Sequence, residues 1–207
     1  VLERGTHTII QQVQAMKEMV DAFNEYARPP RLQLAPLELN EFVTEVLYLY
    51  RDYPANVEIR LELTQEPLWI NADKGRLRQL LHNLVKNAIE AMHDAQGSTL
   101  WICTQREHVT GADCAELSVR DDGPGFPDHL SANAFEPSVP TKPKGTGLGL
   151  AVVNQIVEAH GGWIQLETPA EGGARIVVRL PFRHEDAEVS ITPGVPAAPL
   201  HIDQEAG

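Results

Sequence analysis

Three glycines at every second position, Gly145-Thr146-Gly147-Leu148-Gly149, run straight into an apolar helical stretch that continues to His160. That junction restricts the fold more than any other feature of the chain. A glycine loop that opens a helix leaves backbone N–H groups at the positive end of the helix dipole, which suits a phosphate. Upstream, an alternating strand pattern ends in Asp121-Asp122-Gly123-Pro124-Gly125. Further upstream, Asn83 and Asn87 stand four residues apart in a helical pattern. Residues at that spacing share a helix face, and two amide oxygens there can approach Mg2+. A carboxylate at a strand end can receive the amino group of a base. The combination implies an ATP site, and none of its parts does so alone.

Composition sets the limits within which this works. The chain has 207 residues and 43% apolar content, enough for one packed α/β domain and an accessory element. A net charge of −12 argues against a nucleic-acid partner, which needs a basic face. Cys103 and Cys114 fall in strand patterns without metal-type spacing, so they read as reduced core thiols. No apolar run reaches transmembrane length, and there is no signal peptide. The chain opens on Val1. It is therefore expected to be a cytoplasmic fragment, attached to the inner membrane, if at all, only through missing upstream segments.

Residues 1–31 form the first expected unit. Leu2, Thr6, Ile9, Val13, Met16, Val20, Phe23 and Ala27 repeat at alternating spacings of four and three, a heptad seam with Thr6 as its polar exception. Arg28-Pro29-Pro30 stops that helix. The seam reads either as one strand of a helical bundle or as an amphipathic helix packed on its own domain.

Residues 32–182 form the second unit, a two-layer α+β sandwich of mixed sheet and helices on one face. Asn40 is the expected N-cap of a helix ending near Tyr53. Strands follow from Val57 to Leu63 and from Leu68 to Ile70, then a helix capped by Asp73 and running to about Ala95. Its apolar stripe is set apart from a polar stripe of Asn83, Asn87, Glu90 and Asp94. Two strands, Leu100–Gln105 and Ala115–Asp121, precede a Gly- and Pro-rich stretch from Gly123 to Gly145, long enough to be a lid. A helix from Gly147 to His160 and two final strands complete the unit. Residues 183–207 are acidic, rich in Pro and Ala and aperiodic, and are expected to be a disordered tail.

Within this frame the chemistry can be placed. Ala115, Leu117, Val119 and Asp121 share one strand face, so Asp121 is aimed inward, where a carboxylate needs a donor such as an adenine amino group. A strand-end Asp in an ordinary turn is the alternative. Gly123 and Gly125 permit a sharp turn and close backbone approach. Lys142 and Lys144 flank the loop, either as partners of the β- or γ-phosphate or as a solvated basic patch, and Thr146 has a hydroxyl to offer phosphate.

The set resembles the catalytic ATP-binding domain of sensor histidine kinases, in the gyrase, Hsp90, histidine kinase and MutL superfamily. His82-Asn83-Leu84-Val85-Lys86-Asn87-Ala88 resembles the N box, and Asp121 to Gly125 the first glycine box. Phe135-Glu136-Pro137 resembles the F box, and Gly145 to Leu150 the second glycine box. The match covers Leu37 to Phe182, and the run from Phe135 to Gly147 is most similar to nitrogen-regulation kinases of the NtrY/NtrB kind. Residues 4–28 resemble the second helix of their dimerisation and phosphoacceptor hairpin.

The resemblance implies roles. Asn87 is the Mg2+ ligand, supported by Asn83. Asp121 reads adenine. Gly145, Gly147 and Gly149 bind phosphate through backbone N–H, and Phe135 anchors the lid. Lys86, Gly123, Gly125, Lys144, Thr146 and Leu148 complete the nucleotide-contacting set, and Lys142 joins the two asparagines as a catalytic group.

The family's phosphoacceptor His precedes an acidic residue and soon an Asn-Pro pair. None of the eight histidines here has that context. The implied reaction is transfer of the ATP γ-phosphoryl group to a His on an absent upstream helix of the same homodimeric protein. The phosphoryl group would then pass to an Asp of a response-regulator receiver domain. Two other readings stand beside it: an ATP-hydrolysing conformational switch of the same superfamily, and a non-catalytic nucleotide-binding dimerisation module.

Overall fold

The computed structural model describes residues 32–50, 57–95, 98–109, 111–126 and 149–182, together with Thr6, Val13, Met16 and Lys17. Its elements run β1 (Ala35–Glu38), α1 (Leu39–Tyr48), β2 (Glu58–Leu63), β3 (Trp69–Ala72), α2 (Lys74–Ala95), β4 (Thr99–Val109), β5 (Ala112–Asp121), α3 (Gly149–Ala159), β6 (Trp163–Glu167) and β7 (Arg175–Pro181). The fold class is the expected one. Five strands form a mixed sheet in the order β2-β4-β5-β7-β6, with only the β2–β4 pair parallel. β1 and β3 make a separate antiparallel pair, joined to the end of β7 by a bridge between Ile70 and Phe182.

The period of two along the strands decides which face is covered. Leu100 and Ile102 of β4, Ala115, Leu117 and Val119 of β5, and Ile176, Val178 and Leu180 of β7 are buried in one cluster with the helices. α2 brings Leu77, Leu80, Leu81, Leu84, Val85, Ala88 and Met92 to it, the apolar stripe its sequence spells out. α3 adds Val152, Val153, Ile156 and Val157, and α1 adds Phe42, Val43 and Val46.

The opposite face is closed by ions instead. Glu116, only 2% exposed, accepts from Arg175 at 3.1 Å, from Arg179 at 2.8 Å and from Gln105 at 3.1 Å. Two guanidiniums on one carboxylate satisfy its lone pairs, which a buried charge requires. Cys114 is buried and Cys103 half-buried, so only one of the two is a core thiol. Burial pushes both thiols above their ordinary pKa, away from the reactive thiolate form.

Asp73 caps α2 as expected, its Oδ1 accepting from the N–H groups of Gly75 at 3.0 Å and Arg76 at 3.1 Å. Asn40 does not cap α1. Glu38 does, accepting from Glu41 N–H at 2.7 Å through one oxygen and from Leu68 N–H at 2.8 Å through the other. Asn40 lies inside the helix, where its amide donates to the carbonyls of Thr64 and Glu66, each at 3.1 Å, and its oxygen accepts from Thr104. That helix ends at Tyr48, short of the expected Tyr53, and the strand expected from Leu68 to Ile70 is β3, Trp69–Ala72. Thr6, Val13, Met16 and Lys17 are helical and exposed. The rest of residues 1–31, and all of 183–207, lie outside the described residues. Among the described residues no helix is long and apolar enough to cross a membrane.

Candidate nucleotide site

The site is assembled on the C-terminal half of α2. Asn83, Asn87 and Ala91 follow one another at helical spacing, and both asparagines are half-buried. β5 ends beside this stretch. A Cβ built on Gly123 would sit 2.9 Å from Asp121 Oδ1 and 3.5 Å from backbone atoms of Ala91 and Met92. The helix stands at ordinary contact distance; the space a side chain would need is taken by the Asp121 carboxylate.

One turn earlier along α2, the start of α3 approaches. A Cβ on Gly149 would meet the side-chain amide of Asn87 at 3.4 to 3.5 Å. The structure therefore brings Asn87 against the N-terminus of a helix whose dipole favours an anion. The Gly123 turn, which bonds the Asp121 side chain, meets α2 at Ala91, four residues or about one helical turn beyond Asn87. Lys86 points outward, 4.0 Å from Glu90 in an exposed pair. Phe135, Lys142, Lys144, Gly145, Thr146, Gly147 and Leu148 lie outside the described residues.

Asp121 is 5% exposed and closes the inward-facing row Ala115, Leu117, Val119. A carboxylate this deep needs donors. Its Oδ1 accepts from Gly123 N–H at 2.9 Å and from Ala174 N–H at 3.3 Å, and its own N–H donates to the Ala174 carbonyl at 2.9 Å. Backbone thus fixes the group on both sides. Asp122 turns the other way. Its carboxylate accepts from the N–H groups of Ser98 at 2.8 Å and Thr99 at 3.1 Å, tying the turn to the start of β4.

Two participants were not singled out from sequence. Gly173 is one: it has φ +82, lies against the Asp121 backbone, and has the expected Gly125, with φ +79, packed on it. The only sequence signal of Gly173 is the pair Gly172-Gly173 before a strand, which reads as a turn. His160 is the other. It is buried, with Nε2 accepting from Asp73 N–H at 3.0 Å and Nδ1 donating to the Ile156 carbonyl at 2.7 Å. These partners define a neutral ring that ties the end of α3 to the start of α2.

A buried carboxylate and a helix-borne amide beside a helix N-terminus are thus brought together, with Gly123, Gly149 and Gly173 packed about them. Residues 72–184 match the family of histidine kinase-, DNA gyrase B- and HSP90-like ATPases. This chain belongs to that family.

Its relatives agree. The chain is 36% identical over 197 residues to the C4-dicarboxylate transport sensor protein DctB of Pseudomonas aeruginosa, covering 92% of this chain and 29% of the relative. It is 33% identical over 195 residues to the nitrogen regulation protein NtrY of Azorhizobium caulinodans, covering 91% and 24%. The chain thus spans less than a third of either relative. Among solved structures, histidine kinase ThkA in complex with response regulator protein TrrA superposes with a TM-score of 0.73 at 27% identity, covering 88% of this chain and 52% of that one. Full-length ShkA in complex with AMPPNP gives 0.70 at 26% identity, covering 88% and 39%.

Proposed function

We propose that this chain is the ATP-binding catalytic part of a two-component sensor histidine kinase. The observation that carries the reading is the Asp121 carboxylate, buried and held by two backbone donors beside a glycine-lined approach to Asn87 and the α3 N-terminus. Such a carboxylate accepts from an exocyclic amino group and repels a carbonyl, which selects adenine. Phosphates then lie toward the α3 N-terminus, where backbone N–H groups receive them.

Asn87, with Asn83 beside it, offers the neutral oxygen ligands that suit Mg2+ shared with phosphates and water. That ion supplies charge neutralisation on the transferring group when bound. The chain's own work is positioning: Asp121 orients the base, Gly145, Gly147 and Gly149 the phosphates, and Lys142 and Lys144 balance their charge. Phe135 anchors the lid over the nucleotide.

The γ-phosphoryl group passes to a His ring nitrogen on an upstream helix of the full-length homodimer, then to a response-regulator Asp. The exposed Val13 and Met16, on the seam of the first helix, suit pairing with another helix. In water-activating members of the superfamily a Glu stands one turn before the metal ligand, where this chain has Asn83. An amide cannot take the proton from water, so hydrolysis is not the favoured outcome.

Calorimetric titration with a non-hydrolysable ATP analogue, with and without Mg2+, tests the site. Saturable binding that weakens in Asp121→Asn and loses its Mg2+ dependence in Asn87→Ala supports the reading. Absence of binding by the folded wild type overturns it. The phosphoryl step is then tested by adding the upstream His helix and following label from ATP to His.

A further inference from the structure

Gly173 lies fifty residues beyond Gly123 in sequence, yet it packs against the backbone of the same Asp121. Its φ is +82, and a Cβ there would fall 1.9 Å from the Asp121 carbonyl oxygen and 3.1 Å from Asp122 Cα. No rotamer relieves such a collision, because every atom it meets is backbone. The close approach is what brings the next residue, Ala174, into register. Its carbonyl accepts from Asp121 N–H at 2.9 Å, and its N–H reaches the Asp121 side chain at 3.3 Å. Gly125 completes the stack, since a Cβ there would lie 2.9 Å from the Gly173 carbonyl.

We propose that Gly173 is a positioning residue that sets base selectivity: by admitting Ala174 N–H to the Asp121 carboxylate, it fixes the direction in which that carboxylate meets a purine. The inference deepens the ATP-site reading and rests on it. Gly123 N–H and Ala174 N–H both reach Oδ1, so that oxygen is held by two separate backbone segments. A carboxylate clamped in this way discriminates a 6-amino from a 6-oxo purine by geometry as well as charge. Once the clamp opens, the group can turn away and the two bases are read more nearly alike.

Gly172 provides an internal control. Its φ is +91, but a Cβ there meets nothing within 4 Å. Gly172→Ala therefore carries the same backbone strain as Gly173→Ala without the collision. The experiment measures dissociation constants for non-hydrolysable ATP and ITP analogues in wild type, Gly172→Ala and Gly173→Ala, with folding checked by circular dichroism.

Wild type and Gly172→Ala are expected to favour the ATP analogue by the same ratio. In Gly173→Ala the ratio falls by about tenfold or more, the effect of misaligning one hydrogen bond to a charged group, while binding of the ITP analogue changes less. A defect that merely loosened the domain would weaken both analogues alike and leave the ratio intact, and that result overturns the proposal. If Gly173→Ala does not fold, Ala174→Pro decides: it keeps the carbonyl but removes the N–H, and an unchanged ratio there overturns the proposal as well. A wild type that binds neither analogue, or both equally, would instead sink the assignment of Asp121 as base reader.

Discussion

Asp121 and Asn87 belong to neighbouring elements, the end of β5 and the middle of α2, and they are held in different ways. Asp121 is fastened by main chain: two N–H donors on one oxygen, a carbonyl on its own N–H, and glycines on both sides. Asn87 projects from a helix as a half-buried side chain, with Gly149 at the start of α3 beside its amide. The first arrangement is built before any ligand arrives and resists change. The second is a side chain carried on a helix, placed by its rotamer and not by main-chain pairing. Preorganisation suits the part of a nucleotide that is recognised, and adjustment suits the part that reacts and leaves.

The sharpest way to break this contrast is Asp121→Asn. The variant amide can still accept from Gly123 and Ala174 through its oxygen, so the domain should stay folded. What changes is the group met by the base, from an acceptor to a donor-bearing amide. Affinity for an ATP analogue should fall by about a hundredfold, corresponding to roughly 3 kcal/mol for a lost charge-assisted bond and an unpaired group. A fall in folding stability of similar size would show instead that Asp121 is structural.

Asn87→Ala should cost less in affinity, about tenfold in the presence of Mg2+ and little in its absence, because one neutral oxygen ligand is removed. Equal losses with and without Mg2+ would place Asn87 on the nucleotide itself. Gly149→Ala comes next. The added methyl meets the Asn87 amide at 3.4 to 3.5 Å, a contact the side chain can accommodate by moving slightly. Affinity should fall by only about threefold with folding stability little changed, because Gly149 is the first residue of α3 and not in its interior. A small loss of that kind is what a contact relieved by a side-chain shift gives. A collapse in binding would make the metal end as rigid as the base end.

The sequence reading reached unequal parts of this arrangement for physical reasons. The inward direction of Asp121 follows from a period of two and needs no knowledge of other strands. The stripe on α2 follows from a period of 3.6 in the same way. Gly173 was missed because its role exists only after β5 and β7 pair, bringing positions fifty residues apart to within contact. Asn40 was assigned to the wrong task for a related reason. Asn is a good N-cap, but the groups it bonds, on Thr64, Glu66 and Thr104, enter its reach only in the folded chain. Glu38, whose longer side chain spans both Glu41 and Leu68, takes the cap instead. β1 has only four residues, too few for an alternating pattern to stand out.

Asp73 offers the mildest test, since it touches neither end yet caps the helix that carries Asn87 and packs against the turn after Asp121. It caps α2, and its carboxyl pKa is held below the ordinary value, chiefly by the N–H of Gln33 and then by those of Arg76 and Gly75. The lowered value fixes the sign of its pH dependence. The stabilisation is fully present above the unfolded carboxylate pKa of about 4 and is lost as pH falls through the lower folded value. Asp73→Ala should therefore destabilise the domain by about 1 kcal/mol at neutral pH, the usual effect of removing an N-cap, and the gap to wild type should narrow as the solution is acidified. Urea denaturation at a series of pH values measures both. The ratio of ATP- to ITP-analogue affinities should not move, because the clamp on Asp121 is made by β5 and β7 and not by the start of α2. If the ratio did move, the two ends would be coupled through the helix, and the base site would be less independent of its platform than its backbone bonds imply.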